Sequence, residues 1–183
     1  QECSIENYSR LEGRLRDFFD SKPEKSVGMG KLLSDFAADG GVLLDFAADS
    51  WEDAVQAAGE QMVNTGKVEA SYTGRLLDSC RERRGGVIVA EGVAMPHAQY
   101  EKDVLATAMV FLRLKTPVTF EGEITPVWLV VALAATRDNA HTEALGELAG
   151  ILLSPSIVRQ LKTVGDTSGF IRILREYEEK NYE

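Results

Sequence analysis

The chain carries two histidines, His97 and His141, and their surroundings are the ones that most readily support chemistry. His97 closes the run Glu91-Gly92-Val93-Ala94-Met95-Pro96-His97. Proline disfavours helix at the residue before it and lacks a ladder donor, so Met95 is expected to be extended and the strand to stop at Pro96. His97 is thereby delivered to the carboxyl edge of a strand, where ligands of α/β sheets sit. The imidazole there is expected at the surface, contributing little to packing. His141 follows an apolar strand candidate, 126–135, and the polar turn Thr136-Arg137-Asp138-Asn139. With Asp138 or Asn139 as N-cap, it falls in the first turn of the next helix. Free backbone N–H groups there favour an anion, and the helix dipole disfavours imidazolium. A neutral imidazole is what a nucleophilic histidine must be. The competing reading of each is a capped or solvated residue at an element end, and position alone leaves both readings open.

Other chemistries find little support. Gly28-Met29-Gly30-Lys31 lacks the spacing of a phosphate loop and has no strand before it, so it reads as linker. No G-x-S-x-G, H-E-x-x-H or glycine-rich dinucleotide turn occurs. Cys3 and Cys80 fit neither a disulfide framework nor a zinc site. Glu143 could complete a His-x-Glu with His141, but side chains two apart on a helix do not face each other. No metal and no cofactor are therefore expected. With 29 acidic against 20 basic residues the net charge is -9, which repels phosphate backbones and anionic lipid. Direct nucleic-acid contact is not expected. Neither is membrane insertion, because no apolar run approaches the roughly 20 residues a span needs. No secretory leader opens the chain, and two isolated cysteines suit a reducing cytoplasm, the expected location.

The elements that must position the histidines can be read from hydrophobic period. Tyr8, Leu11, Leu15, Phe18 and Phe19 recur at helical spacing, and Ser21-Lys22-Pro23 ends that segment. Residues 1–30 thus read as a lead-in helix and linker, and 31–183 as the working domain. A strand is expected over 41–46. Ser50 then caps a helix, with Asp53 as capping-box partner and Trp51, Val55, Ala58 and Met62 facing inward. A second helix spans 71–84 with Tyr72, Leu76, Leu77 and Cys80 inside. Short strands at 87–90 and 92–95 and buried strands at 105–114 and 126–135 follow. The final third is helical over 139–153, 156–164 and 168–179. Alternation of this kind implies an α/β fold, a three-layer α/β/α sandwich with a central mixed sheet.

Gly-Val-Ala-Met-Pro-His at 92–97 resembles the phosphorylation motif of enzyme IIA domains of the bacterial phosphoenolpyruvate-dependent sugar phosphotransferase system, mannitol/fructose type. Ser50-Trp51-Glu52-Asp53-Ala54-Val55, Gly66-Lys67-Val68 and Tyr72 resemble that family's first helical pair. Thr116-Pro117-Val118-Thr119-Phe120 is similar to its turn after the third strand. His141 stands 44 residues beyond His97 (141 − 97), near the family's second histidine, and Leu145, Leu148 and Leu152 fit the helix after it. The resemblance covers about 31–180, and Trp51 with the Ala-Met-Pro-His form is closest to the ascorbate-type branch. It implies that His97 accepts a phosphoryl group from phosphorylated HPr and passes it to an enzyme IIB domain. His141 would be the auxiliary histidine, donating to the phosphoryl group. Glu91 would bond the other imidazole nitrogen or lie beside it. The family also tends to keep an arginine near the end of the second helix. Here Leu77-Asp78 is followed by Ser79, and Arg81 is the substitute two residues on.

Two further readings accompany the transport one. A first residue of Gln1 with a lead-in helix is similar to the junction ahead of enzyme IIA-like regulatory domains in modular transcriptional antiterminators or activators. A non-catalytic interaction domain of the same fold, as in anion-exchanger cytoplasmic domains, is opposed by the intact histidine pair. The sugar is not readable, since enzyme IIA does not touch it.

Overall fold

A computed structural model describes residues 31–83, 86–137 and 141–182. The expected lead-in helix and linker at 1–30, and the expected cap residues Asp138 and Asn139, lie outside the described residues.

Five strands form one mixed sheet in the order β1-β4-β5-β3-β2. They are β1 (Val42–Phe46), β2 (Ile88–Ala90), β3 (Val93–Ala94), β4 (Ala108–Val118) and β5 (Val127–Ala134). β1 runs parallel to β4, β4 antiparallel to β5, β5 parallel to β3, and β3 antiparallel to β2. Six helices occur among the described residues: α1 (Leu33–Ala38), α2 (Trp51–Asn64), α3 (Ser71–Arg83), α4 (Thr142–Leu152), α5 (Pro155–Thr163) and α6 (Thr167–Tyr182). The α/β class and the mixed sheet are those the sequence implies.

The described residues fall into two compact units, 36–137 on one side and 31–35 with 141–182 on the other. In the first, α2 and α3 lay their apolar faces on the sheet. Ala54, Val55, Ala58 and Met62 of α2 join Tyr72, Leu76 and Cys80 of α3 against Val110, Leu112, Val130 and Ala132. Ser50 caps α2, its Oγ accepting from the Asp53 amide at 3.2 Å, while Asp53 Oδ2 reaches one residue further back than a capping box would and accepts from the Asp49 amide at 3.1 Å. Trp51 stacks on Phe120 with ring centroids 5.4 Å apart, joining two of the segments that carry the family resemblance. The β2–β3 hairpin turns at Gly92, whose φ of +72° suits glycine and whose Cβ would strike the Trp128 indole. Every residue of β5 is buried.

The start of β4 departs from expectation. Leu105 is 56% exposed, and the strand begins at Ala108 and continues past Leu114 to Val118. Its length is set by pairing with β5, from Ala108 opposite Ala134 to Val118 opposite Val127.

The second unit is helical. Pro155 opens α5 at the first-turn position, where its missing N–H costs nothing. Two buried carboxylates receive the otherwise unsatisfied donors at the start of α1. Glu147 Oε2 accepts from the Leu33 amide at 2.7 Å, and Glu178 accepts from the Ser34 amide at 2.7 Å and the Ser34 hydroxyl at 2.6 Å.

Candidate active site

β3 ends at Ala94, as Pro96 requires, yet the chain does not leave the sheet. The Leu133 amide donates to Pro96 O at 2.9 Å, and His97 pairs with Leu133 through an isolated parallel bridge. Proline lacks a donor but keeps its acceptor, so the ladder is thinned rather than cut. His97 thus stands at the carboxyl ends of β3 and β5. It is only 4% exposed, which corrects the expectation of a surface imidazole.

Helix α3 fixes the backbone around His97 from one edge. Tyr72, Arg75, Ser79 and Arg83 recur at three- and four-residue spacing and share that edge. Ser79 Oγ donates to His97 O at 2.7 Å. The Tyr72 hydroxyl donates to Leu133 O at 2.7 Å and accepts from the Ala98 amide at 3.4 Å. Arg75 Nη1 donates to Gln99 O at 3.0 Å, and its fork is held by Asp103 on both carboxylate oxygens. Ser71 Oγ adds a bond to Asp103 at 3.0 Å. The Arg75 guanidinium holds the Asp103 carboxyl below its usual range, and burial pushes the Tyr72 phenol up.

The imidazole itself is oriented by its own backbone. His97 Nδ1 lies 2.9 Å from Met95 O. A carbonyl only accepts, so Nδ1 carries the proton and the lone pair of the neutral ring is on Nε2. Burial pushes the His97 pKa down to about 4, helped by the Arg83 charge and opposed by the Met95 carbonyl. The ring is neutral at physiological pH.

The other sequence-derived candidates fall elsewhere. Glu91 is exposed in the turn before β3. It lies at the start of β3, six residues before His97. Arg81 projects from the exposed side of α3, its side chain 51% accessible, and pairs with Asp78 at 3.0 Å. Arg83 is linked to the His97 backbone only through Ser79: its Nε donates to Ser79 Oγ at 3.2 Å, and Ser79 donates to His97 O. Sequence reading missed Ser79 and Arg83, although both lie seven and eleven residues beyond Tyr72, on its helix edge.

His141 belongs to the second unit. It occupies the N-cap position of α4 itself, with φ −90° and ψ −9°, rather than the first turn. It is buried, its carbonyl accepts from the Leu145 amide at 3.0 Å, and its side chain makes no capping bond. Glu143 is in the first turn of α4 and exposed. Among the described residues, no group of three or more His, Cys, Asp or Glu side chains could hold a metal ion.

Residues 36–177 match the family described as phosphoenolpyruvate-dependent sugar phosphotransferase system, EIIA 2. The chain belongs to the EIIA 2 family. That stretch runs through both compact units. Among relatives of this EIIA domain, the ascorbate-specific PTS system EIIA component of Mycoplasma pneumoniae is 31% identical over 134 residues, 73% of this chain and 84% of that protein. The mannitol-specific cryptic phosphotransferase enzyme IIA component of Escherichia coli is 29% identical over 131 residues, 72% of this chain and 89% of that protein. A solved complex of enzyme IIAMTL and phosphorylated enzyme IIBMTL from Escherichia coli is similar with a TM-score of 0.66 and 27% identity. The likeness covers 75% of this chain and 95% of that one. As an EIIA component the chain is a phosphotransferase, and no helix among its described residues is long and apolar enough to cross a membrane.

Proposed function

We propose that residues 31–183 act as a phosphocarrier in which His97 takes a phosphoryl group from phosphorylated HPr and hands it to an enzyme IIB domain. The observation that carries this reading is the state of His97: buried, neutral, and with Nδ1–H committed to Met95 O. Nε2 is then the nucleophile. Its lone pair attacks phosphorus, the N–P bond to the donor breaks, and that electron pair returns to the donor imidazole. Nδ1–H stays on Met95 O, whose partial negative charge balances the developing positive ring. The reverse sequence delivers the group to the acceptor. Such a transfer needs in-line geometry and donors for the equatorial oxygens, but no metal. His141 supplies one donor as the auxiliary histidine. The hand-over to enzyme IIB is supported by the solved complex of a relative with its phosphorylated IIB partner. No observation favours the antiterminator reading over this one.

Incubation with phosphoenolpyruvate, enzyme I and HPr should add one phosphoryl group, acid-labile and base-stable as a phosphoramidate is, at His97. Mass spectrometry that finds no phosphate, or finds it on serine or threonine, rejects the assignment.

A further inference from the structure

We infer that Arg75 and Asp103 are positioning residues of the transfer: as a pair they grip the chain that leaves His97 and keep the imidazole in the tautomer and direction that present Nε2. The inference rests on the phosphocarrier reading and deepens it. The direction of a Cβ atom is set by the two peptide planes that meet at its Cα, so an imidazole is aimed only as firmly as both planes are held. On the amino side of His97 the sheet does the holding. The Leu133 amide donates to Pro96 O, and the Met95 amide donates to Val87 O at 2.7 Å. On the carboxyl side no strand continues, since 98–101 is neither helix nor strand. Side chains of α3 take over there.

Arg75 spans the loop with one planar group. Its Nε and Nη2 fork onto the two oxygens of Asp103, Nε at 3.0 Å, while Nη1 donates to Gln99 O at 3.0 Å. A fork fixes orientation as well as distance, so Gln99 and Asp103 are held in one relation. Asp103 is buried and is itself tied down: Ser71 Oγ donates to its carboxylate at 3.0 Å, and its carbonyl accepts from the Glu69 amide at 2.8 Å. The Arg75 guanidinium carbon also lies 5.3 Å from the centre of the Tyr72 ring, whose hydroxyl bridges Leu133 O and the Ala98 amide. Glu101, with a side chain 63% exposed and 3.3 Å from Nη1, adds little. Without the grip on Gln99 the peptides after His97 can turn, and the imidazole turns with them. Nδ1–H then parts from Met95 O, the proton is shared between the ring nitrogens, and an Nε2 that carries a proton does not attack. Misalignment of this kind costs rate at the reacting atoms rather than binding of the partner.

The test uses the full chain and two readouts: the nitrogen NMR shifts of the His97 ring before loading, and single-turnover loading over a range of phosphorylated HPr concentrations. Asp103→Asn and Arg75→Gln should bring the two ring-nitrogen shifts toward each other. They should lower the maximal loading rate about 10- to 100-fold, with the half-saturating HPr concentration unchanged. Arg75→Lys keeps the charge and loses the fork, so it should show the same changes to a smaller degree, and it stands in if Arg75→Gln does not fold. Glu101→Gln should leave both readouts as in the wild type. Variants that lose thermal stability yet keep the wild-type shifts and maximal rate would show a purely structural pair, and the inference would be wrong. A raised half-saturating concentration at an unchanged maximal rate also overturns it, in favour of a loop that binds HPr. Failure of the wild-type chain to load rejects the phosphocarrier reading instead, while the ring shifts, which need no phosphate, still decide whether Arg75 and Asp103 hold the tautomer.

Discussion

His97 and His141 both stand where an element ends or begins, one past the end of a strand and the other at the start of a helix, and different elements hold them. Around His97, the carbonyls of Met95, Pro96, His97 and Gln99 and the amide of Ala98 are each engaged by a named donor or acceptor. At His141 the imidazole stands at an N-cap position that prefers serine, threonine, asparagine or aspartate, and it does not cap. In the proposed phosphocarrier reading, the nucleophile is held by the strand-end backbone around it and the assisting donor is delivered by the start of a helix.

The comparison breaks most completely at His97. His97→Gln should abolish phosphoryl loading, read by mass spectrometry, because the lone pair of the amide nitrogen is delocalised into the carbonyl and does not attack. Burial adds a second effect: His97→Ala should lower stability by about 1–3 kcal/mol, measured by denaturant unfolding, where a surface imidazole would cost almost nothing. At His141 the loss should be of rate alone. His141→Ala should still load His97 but slow passage to enzyme IIB by about 100- to 1,000-fold, and His141→Gln should retain part of the rate through its amide donor. Wild-type passage in His141→Ala, by rapid quench, would remove the assisting role and leave the histidine as a helix-start residue only.

Smaller effects sharpen the account of the first unit. Tyr72→Phe removes the hydroxyl that bridges Leu133 O and the Ala98 amide. A buried carbonyl left without its donor should cost about 1–3 kcal/mol in stability. Loading of His97 should continue, since Ser79 still holds its carbonyl; a variant as stable as wild type would mean that the bridge contributes nothing.

Acid supplies the mildest perturbation. The His97 pKa is about 4 in the folded chain and ordinarily near 6.5, so the unfolded chain binds a proton that the folded chain refuses between those values. Stability from this group is complete above about pH 6.5 and is lost as pH falls toward 4. The loading rate should accordingly stay flat from pH 8 to about 6 and fall only nearer 4. A loading rate that halves near pH 6.5 would show an exposed, unperturbed ring. In His97→Gln the corresponding slope in stability should disappear.

Where local chemistry decides, the sequence was informative. The Ser50 cap, the end of β3 ahead of Pro96 and the inward faces of α2 and α3 follow from side-chain type and spacing, and the structure has them, although Pro96 and His97 stay paired to β5. Where pairing decides, it was not. Nothing local says that β4 should skip Leu105 and continue through Lys115, because its span is the length of β5 lying beside it. Glu91 and Arg81 came from alignment by resemblance, which counts residues without regard to turns or helix phase. Gly92 turns the chain so that Glu91 lies at the start of β3, and 100° per residue turns Arg81 away while bringing Arg83 onto the Tyr72 edge. The phase argument was available in the sequence; the depth at which His97 lies was not, because burial depends on tertiary packing rather than on local residue type.

The fixed backbone around His97 bears on energy transmission. A group-transfer relay keeps its cargo at high potential only if loading it releases little free energy. Any segment that refolded around the phosphoryl group would stabilise the loaded form, and that stabilisation would have to be returned before the next transfer. With the Pro96 carbonyl tied to β5, and the His97 and Gln99 carbonyls tied to α3, before phosphate arrives, loading needs no such refolding. The carrier can then pass the group on nearly reversibly, its direction set by supply and demand on either side.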